Sequence, residues 1–74
     1  MIINVKLVGL FQTDRFKQKD RVYATGIKVQ DVINDLKLPQ QHFGIVLING
    51  VHADINTILT EGDHVVIMPI VDGG

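Results

Sequence analysis

A single segment of this chain has the spacing of an amphipathic helix, whereas its other apolar runs are short and have the pattern of strands. The helical stripe consists of Val29, Val32, Ile33 and Leu36, at positions i, i+3, i+4 and i+7. Pro39 disfavours helical geometry at Leu38, so a helix of about three turns is expected to end near Lys37. Such a helix must bury its apolar side against β-structure.

Four segments have the composition of strands. Apolar residues alternate with other residues from 2 to 10, which predicts a first strand with one buried face. Residues 21–25 are rich in β-formers and predict a second strand. Residues 44–48 predict a third, ended by a tight turn at Asn49-Gly50. Residues 65–68 are apolar on both faces, which is typical of a strand in the middle of a sheet.

The connecting segments are polar or rich in turn residues. A charged passage at 12–20 separates the first two predicted strands. A short strand can follow the turn at Asn49-Gly50, and residues 54–60 predict a loop or single helical turn pinned by Ile58 or Leu59. A second turn is predicted at 61–63.

The order strand, strand, helix, strand, short strand, strand predicts an α+β domain of two layers. We expect a ubiquitin-like β-grasp in which a mixed sheet of four to five strands packs on one main helix. Its first and last strands should be adjacent and parallel at the centre of the sheet. Residues 1–74 are expected to form a single domain with a flexible C-terminal tail at 70–74.

The composition excludes several classes of function. The 74 residues contain no cysteine, which excludes disulfides, thiolate metal sites and a catalytic thiol in this chain. A formal net charge of −1 does not favour nucleic-acid binding. The longest apolar run, at 65–71, is far below the roughly 20 residues that cross a bilayer, and the N-terminus lacks a secretory pattern. We therefore expect a cytoplasmic protein with no nucleic-acid or membrane partner.

The familiar catalytic and metal-binding patterns are missing from the sequence. His42, His52 and His64 are ten and twelve residues apart, in predicted loops and turns. Exposed loop histidines explain this spacing better than a metal site does. We expect no catalytic residue and no bound metal or cofactor.

Four cations alternate with other residues before and within the second predicted strand. They are Arg15, Lys17, Lys19 and Arg21, and they would share one face of an extended segment. Solvated charges that keep an edge strand from pairing with other chains are the favoured interpretation. A docking surface for an acidic partner is the alternative.

Two glycines end the sequence shortly after the last predicted strand. Glycine does not stabilise this position, because it has the most backbone freedom and no side chain to pack. A frayed terminus is one explanation. A functional tail is the other, because an extended segment from Ile70 to Gly74 reaches at most about 17 Å. Gly73 and Gly74 could pass through a narrow channel and present the terminal carboxylate to another protein.

Residues 59–74 closely resemble the C-terminal end of the bacterial sulfur-carrier family, which contains the small subunit of molybdopterin synthase and the thiamine-pathway sulfur carrier. The shared pattern is a leucine, a Gly-Asp turn, an apolar strand, a proline and a short tail to Gly-Gly. The resemblance extends back through residues 46–50 and the helix at 29–36. It therefore covers nearly the whole chain in the right order.

The resemblance implies a carrier whose Gly74 is adenylated with ATP by an enzyme related to ubiquitin-activating proteins. A sulfur donor then displaces AMP and leaves a thiocarboxylate on Gly74. Asp72 and Gly73 would form the inserted tail. The segment expected to direct the tail and dock partner enzymes consists of Ile67, Met68, Pro69, Ile70 and Val71. The chain would be a cosubstrate rather than an enzyme, and its partners would be the activating adenylyltransferase, the sulfur donor and a sulfur-accepting synthase subunit.

Two residues depart from the family pattern. Lys28 stands where the family often has threonine, and a lysine side chain cannot accept the hydrogen bond that caps a helix, so the start of the helix must be satisfied differently. Asp72 adds a charge where a small residue is usual.

The sequence around 68–71 favours the molybdopterin or tungstopterin branch over the thiamine branch. A ubiquitin-like conjugation tag and a non-covalent β-grasp interaction module remain the alternatives.

Overall fold

The computed structural model describes residues 1–39 and 43–70. Within these ranges the elements are β1 (Ile2–Leu7), β2 (Gln18–Val22), α1 (Val29–Asp35), β3 (Phe43–Ile48), β4 (Val51–Ala53) and β5 (His64–Pro69). The strands form one sheet in the order β2-β1-β5-β3-β4. The pairing of β1 with β5 is parallel and the other three pairings are antiparallel. This confirms the predicted α+β fold of the ubiquitin-like β-grasp, with its first and last strands parallel and adjacent.

The core lies between one face of this sheet and α1. Its buried apolar side chains are Ile3, Val5, Leu7, Phe11, Val29, Val32, Ile33, Leu38, Val46, Leu59, Val65 and Ile67. Full burial of one such side chain contributes about 1.5–3 kcal/mol. Of these twelve side chains in the described ranges, β1 and β5 supply five, which explains why the sheet is organised around these two strands.

The first strand is shorter than the sequence predicts. β1 ends at Leu7 rather than at residue 10, because Gly9 turns the chain with a φ of +59° into a short 3₁₀ helix at Gly9–Gln12. The turn buries Phe11 completely. Apolar alternation does not distinguish this turn from a continued strand.

The second strand begins earlier than predicted and ends at Val22. Its register with β1 runs from Ile2 opposite Val22 to Lys6 opposite Gln18. β2 lies at the edge of the sheet, where polar residues pair without being buried, so composition alone misplaced it.

Arg15 does not belong to the row of cations predicted on this strand. Its guanidinium donates hydrogen bonds to the carbonyls of Leu36 and Lys37, at 2.9 and 2.8 Å. Arg15 therefore satisfies carbonyls that the end of α1 leaves unpaired.

The helix has seven residues, about two turns rather than three. Lys37 has a φ of +54°, which confirms that the helix ends near this residue. The apolar stripe is confirmed in its buried part, since Val29, Val32 and Ile33 are inaccessible while Leu36 is half-buried.

The first turn of α1 is capped by a neighbouring loop. Val29 and Gln30 donate their backbone N–H groups to the carbonyls of Thr57 and Ile55, at 3.1 and 2.9 Å. The Asp31 carboxylate accepts the N–H of Lys28 at 2.8 Å. These bonds replace the capping hydroxyl that Lys28 lacks.

The loop that supplies these carbonyls is pinned by Leu59, which is fully buried. Ile58 forms an isolated antiparallel bridge with Lys28, but its side chain is exposed. Of the two predicted anchors, Leu59 is therefore the one that enters the core.

Two turns meet at the start of β5. Asn49 and Gly50 have φ angles of 52° and 83°, which confirms the predicted tight turn between β3 and β4. The Asn49 side chain accepts the N–H of His64 at 2.9 Å and donates to the Asp63 carboxylate at 3.0 Å. Gly62, with a φ of 84°, forms the predicted Gly-Asp turn.

The Asp63 carboxylate is buried and fastens this junction. It accepts the backbone N–H of Thr60 at 2.8 Å and the Thr60 hydroxyl at 3.2 Å, besides the Asn49 amide. Burial acts to raise the pKa of Asp63, but these hydrogen bonds favour the charged form, and the pKa is lowered overall.

Replacing Asp63 with asparagine should destabilise the fold by about 1–3 kcal/mol, because an amide leaves one of the donors unpaired. Since the folded-state pKa of Asp63 is lowered, its contribution is complete above its unfolded-state pKa and is lost as pH falls through the folded-state value. Urea unfolding between pH 7 and pH 3 should show a smaller loss of stability in Asp63→Asn than in the native protein. The exposed Asp14→Asn variant is the control. Equal pH dependence in native protein and Asp63→Asn would contradict this assignment.

Candidate functional site

The predicted functional tail begins where β5 ends, at Pro69. Ile70 follows with 56% of its surface exposed. The predicted site residues Val71, Asp72, Gly73 and Gly74 lie outside the described residues. The structure therefore describes the base of the predicted tail, which consists of the end of β5 and Ile70.

The base of the tail is held on both sides by neighbouring strands. On the β1 side, the N–H of Val8 donates to the carbonyl of Ile67 at 3.2 Å. A Cβ on Gly9 would lie 3.5 Å from Pro69 Cγ, so the 3₁₀ turn packs against the proline ring. On the other side, Phe43 is the backbone partner of Pro69. These contacts therefore fix the direction of the chain as far as Pro69.

Gly44 allows β3 to approach this base closely. A Cβ on Gly44 would lie 2.8 Å from the nitrogen of Ile70 and 2.9 Å from the carbonyl oxygen of Met68. The register between β3 and β5 also shifts between Phe43 and Ile45. From the sequence, Gly44 was predicted only to begin a strand. A glycine inside a strand of β-branched residues was the available signal.

The predicted docking residues of β5 divide between the two faces of the sheet. Ile67 is fully buried opposite Val46, so its side chain packs in the core and supports the tail without being accessible to a partner. Met68 points to the opposite face and is half-buried, as is Pro69. Met68 and Ile70 are thus the members of the segment best placed for contact.

The face of the sheet opposite the helix carries apolar side chains beside the tail. Met68 is paired with Ile45, and Val66 with Leu47. Ile45 is 44% exposed and the other three are half-buried. We call these four residues the outer apolar surface. Of these four, only Met68 was a predicted site residue, although the apolar composition of both faces of β5 was a signal for Val66 as well.

The histidines that were considered as metal ligands do not form a metal site within the described residues. His52 lies in β4 and His64 begins β5, so both are in strands rather than in loops, and His42 lies outside the described residues. No group of three His, Cys, Asp or Glu residues suited to a metal occurs within 1–39 and 43–70. In the same ranges, no helix has the length and apolar character needed to span a membrane.

A small β-grasp whose central strand β5 is followed in the sequence by five residues ending in Gly-Gly has the form of a ubiquitin-like carrier or modifier. The ThiS family matches residues 5–74 of this chain. The chain therefore belongs to the ThiS family, a family of ubiquitin-like sulfur carriers. No curated protein gives a significant match.

Solved structures with this fold come from several organisms. The chain is similar to a putative molybdopterin converting factor, subunit 1, from Pyrococcus furiosus, with 21% identity, a TM-score of 0.78 and coverage of 96% of this chain and 99% of that one. It is similar to small archaeal modifier protein 1 of Haloferax volcanii, with 20% identity, a TM-score of 0.77 and coverage of 95% and 98%.

A third similar structure is a complex of subunits 1 and 2 of the molybdopterin-converting factor from Helicobacter pylori. The identity is 22%, the TM-score is 0.67, and the match covers 100% of this chain and 100% of the matched chain. At these identities the likeness establishes the fold. The description of the family as bacterial is not borne out, because an archaeal modifier protein shares the fold.

Gly44→Ala should destabilise the protein by about 1–3 kcal/mol, because the added methyl group meets backbone atoms that cannot rotate away. Gly50→Ala is the control, since Gly50 has open space but a positive φ, so its cost is local strain at a distant turn. Chemical denaturation measures both costs. Amide NMR shifts of Met68 and Ile70 should move in Gly44→Ala only, and unchanged shifts there would contradict the close approach.

Proposed function

We propose that this chain is a sulfur carrier whose Gly74 is adenylated, converted to a thiocarboxylate and used as a sulfur source in molybdopterin or tungstopterin synthesis. The observation that carries the proposal is the position of β5. This central strand is paired with β1 as far as Ile67 and with β3 as far as Pro69, and the side chain of the next residue, Ile70, is exposed. Four residues then reach the terminal carboxylate of Gly74.

The chemistry requires activation because a carboxylate is a poor electrophile. A carboxylate oxygen of Gly74 attacks the α-phosphorus of ATP, and pyrophosphate leaves. A hydrosulfide equivalent from the donor then attacks the acyl carbon, and AMP leaves with the C–O bond electrons. The product is a thiocarboxylate on Gly74. A chain without cysteine can hold sulfur covalently at this carboxyl group.

The catalytic groups for these steps belong to partner proteins, and the chain acts as a cosubstrate. Its fold fixes the start of the tail, while Gly73 and Gly74 have no side chains to obstruct a narrow active site. Holding the domain against the partner raises the local concentration of the terminal carboxyl in that site.

The outer apolar surface supports a docking role for the domain. It lies on the strands that lead to the tail, so a partner that binds it is also placed to receive the C-terminus. The partners of this proposal are an ATP-using adenylyltransferase, a sulfur donor and a synthase subunit that accepts the sulfur. The similar H. pylori protein was solved as a complex of subunits 1 and 2, which supports a partner of the last kind.

The pterin pathway is favoured over thiamine synthesis. Two of the similar structures are molybdopterin converting factor subunits, and Met68-Pro69-Ile70-Val71 resembles that branch of the family. The thiazole pathway uses the same tail chemistry, so the identity of the activating enzyme distinguishes the two.

A ubiquitin-like conjugation tag is the second candidate. The likeness to an archaeal modifier protein over nearly the whole of both chains favours it. In that role the activated carbonyl of Gly74 would acylate a target lysine with loss of AMP. Thiol-resistant adducts of higher mass would identify this outcome.

Incubating the full chain with a pterin-pathway activating enzyme, ATP and sulfide should increase its mass by the difference between sulfur and oxygen. Mass spectrometry should place the change on Gly74. A chain lacking Gly74 should show no increase, whereas the exposed Thr25→Ala variant should react normally. No mass change with the activating enzymes of either pathway would overturn the proposal, and full activity without Gly73 and Gly74 would point to a non-covalent module.

Met68→Glu should slow this reaction roughly tenfold or more, because a charge in the outer apolar surface must be desolvated when the partner docks. Ile58→Glu is the matched control, since Ile58 is 58% exposed in a loop outside that surface. Thiocarboxylate formation at limiting activating enzyme measures the effect, and thermal unfolding checks that both variants are folded. Equal rates for the two variants would exclude docking through Met68.

A further inference from the structure

Within the part of the chain that the structure describes, the outer edge of β2 has backbone groups without a partner, beside a row of cations. β2 lies at one end of the strand order, and the other edge, β4, has only three residues. The sulfur-carrier proposal makes no use of β2, which lies outside the pair of strands that hold the tail. The outer edge of β2 and its row of cations therefore need an explanation of their own.

The hydrogen-bond pattern shows which backbone groups of β2 face outward. Met1 and Tyr23 exchange two backbone bonds, at 2.7 and 2.9 Å, and Leu7 donates to the carbonyl of Lys17 at 2.9 Å. Because paired residues alternate along an antiparallel ladder, the odd-numbered residues 17–23 bond to β1. The N–H and C=O groups of Gln18, Asp20 and Val22 therefore point away from the sheet.

The cations occupy the alternate positions, on the helix side of the sheet. Lys19 pairs with Val5 and Arg21 with Ile3, and both partners face the core. Lys17 lies two residues before Lys19, so neighbouring cations along the strand are about 6.8 Å apart. The negative charge of Asp20 lies on the opposite face, where its carboxylate accepts a hydrogen bond from Asn4.

Most of this positive charge is available to a partner. The Arg21 guanidinium forms a salt bridge with the Asp35 carboxylate, with an N–O distance of 2.9 Å. Its Cζ lies 5.8 Å from the ring centres of Phe16 and Tyr23. Lys17 and Lys19 are exposed, and neither takes part in a salt bridge within the described residues.

The charges exclude a second copy of the chain as the occupant of this edge. Antiparallel pairing of two β2 strands would place lysine and arginine side chains opposite one another, and like charges directly opposite are destabilising. An acidic strand is attracted by the same row. Nucleic acid supplies negative charge but cannot complete a β-ladder with the outward N–H and C=O groups.

We propose that the β2 edge binds an extended acidic peptide segment of another protein, which adds as a sixth strand. Its backbone pairs with Gln18, Asp20 and Val22, and its acidic side chains, at every second position, face Lys17, Lys19 and Arg21. In an antiparallel arrangement those acidic residues occupy the non-hydrogen-bonded positions, where facing side chains approach most closely. This site is independent of Gly74.

The test uses the ¹⁵N-labelled full chain and a peptide of about eight residues in which threonine and glutamate alternate, slightly longer than β2. Binding should slow amide exchange at Gln18, Asp20 and Val22. A peptide that alternates threonine and lysine should not bind. Absence of binding by the acidic peptide, or binding without protection of these three amides, would overturn the proposal.

Charge variants test the recognition by side chains. The double variant Lys17→Glu/Lys19→Glu should weaken peptide binding roughly tenfold or more. The control Lys6→Glu/Lys28→Glu makes the same change in net charge at exposed lysines outside the row and should bind within about twofold of the native chain. Equal weakening of peptide binding in both double variants would contradict specific recognition by Lys17 and Lys19.

Backbone variants separate strand addition from a general attraction to anions. Val22→Pro removes an outward N–H without touching the bonds to β1 and should weaken binding about threefold to tenfold, whereas Val22→Ala should not. A single-stranded oligonucleotide of equal charge should compete poorly. Equal competition by the oligonucleotide, or no loss in Val22→Pro, would show a non-specific anionic contact and overturn the proposal.

Discussion

The parallel pairing of β1 with β5 is the interaction on which the rest of this structure depends. It joins the first and last strands of the fold, and among the described residues these two strands supply five of the twelve buried apolar side chains of the core. The bonds around Asp63 and Asn49 fix the start of β5, and Gly44 and Gly9 pack against its end. A strand held at both ends can present a chain terminus in a constant direction.

In this arrangement, core residues and outer-face residues alternate along the same strand. Val65 and Ile67 belong to the core, whereas Val66 and Met68 alternate with them on the outer face. The fold therefore has an accessible apolar surface on β5 without exposing its core. The same logic holds at the β2 edge, where the backbone groups not used by β1 point outward and the charged side chains select what can pair with them.

Much of the fold could be predicted because its signals are local. The stripe from Val29 to Ile33, the turn at Asn49-Gly50 and the apolar character of β5 each depend on residues close in sequence. The predictions were wrong where contacts between residues distant in sequence determine the structure. β1 stops at Leu7 because Phe11 enters the core, and Arg15 leaves the cationic row because it caps α1. Of the candidate site, the predicted tail residues Gly73 and Gly74 lie outside the described residues, and the positions of Gly44 and Ile45 beside the end of β5 depend on the register between β3 and β5.

The sequence by itself determined the fold class, the order of the elements and a side-chain-free C-terminus, because periodicity, turn chemistry and glycine are properties of neighbouring residues. Only the tertiary structure decided which face of β5 is accessible. The assignment of Ile67 to the core and Met68 to the surface depends on the register of three strands that are far apart in sequence. It also decided how α1 begins without a capping side chain, since the carbonyls of Ile55 and Thr57 reach its first turn only after the chain has folded.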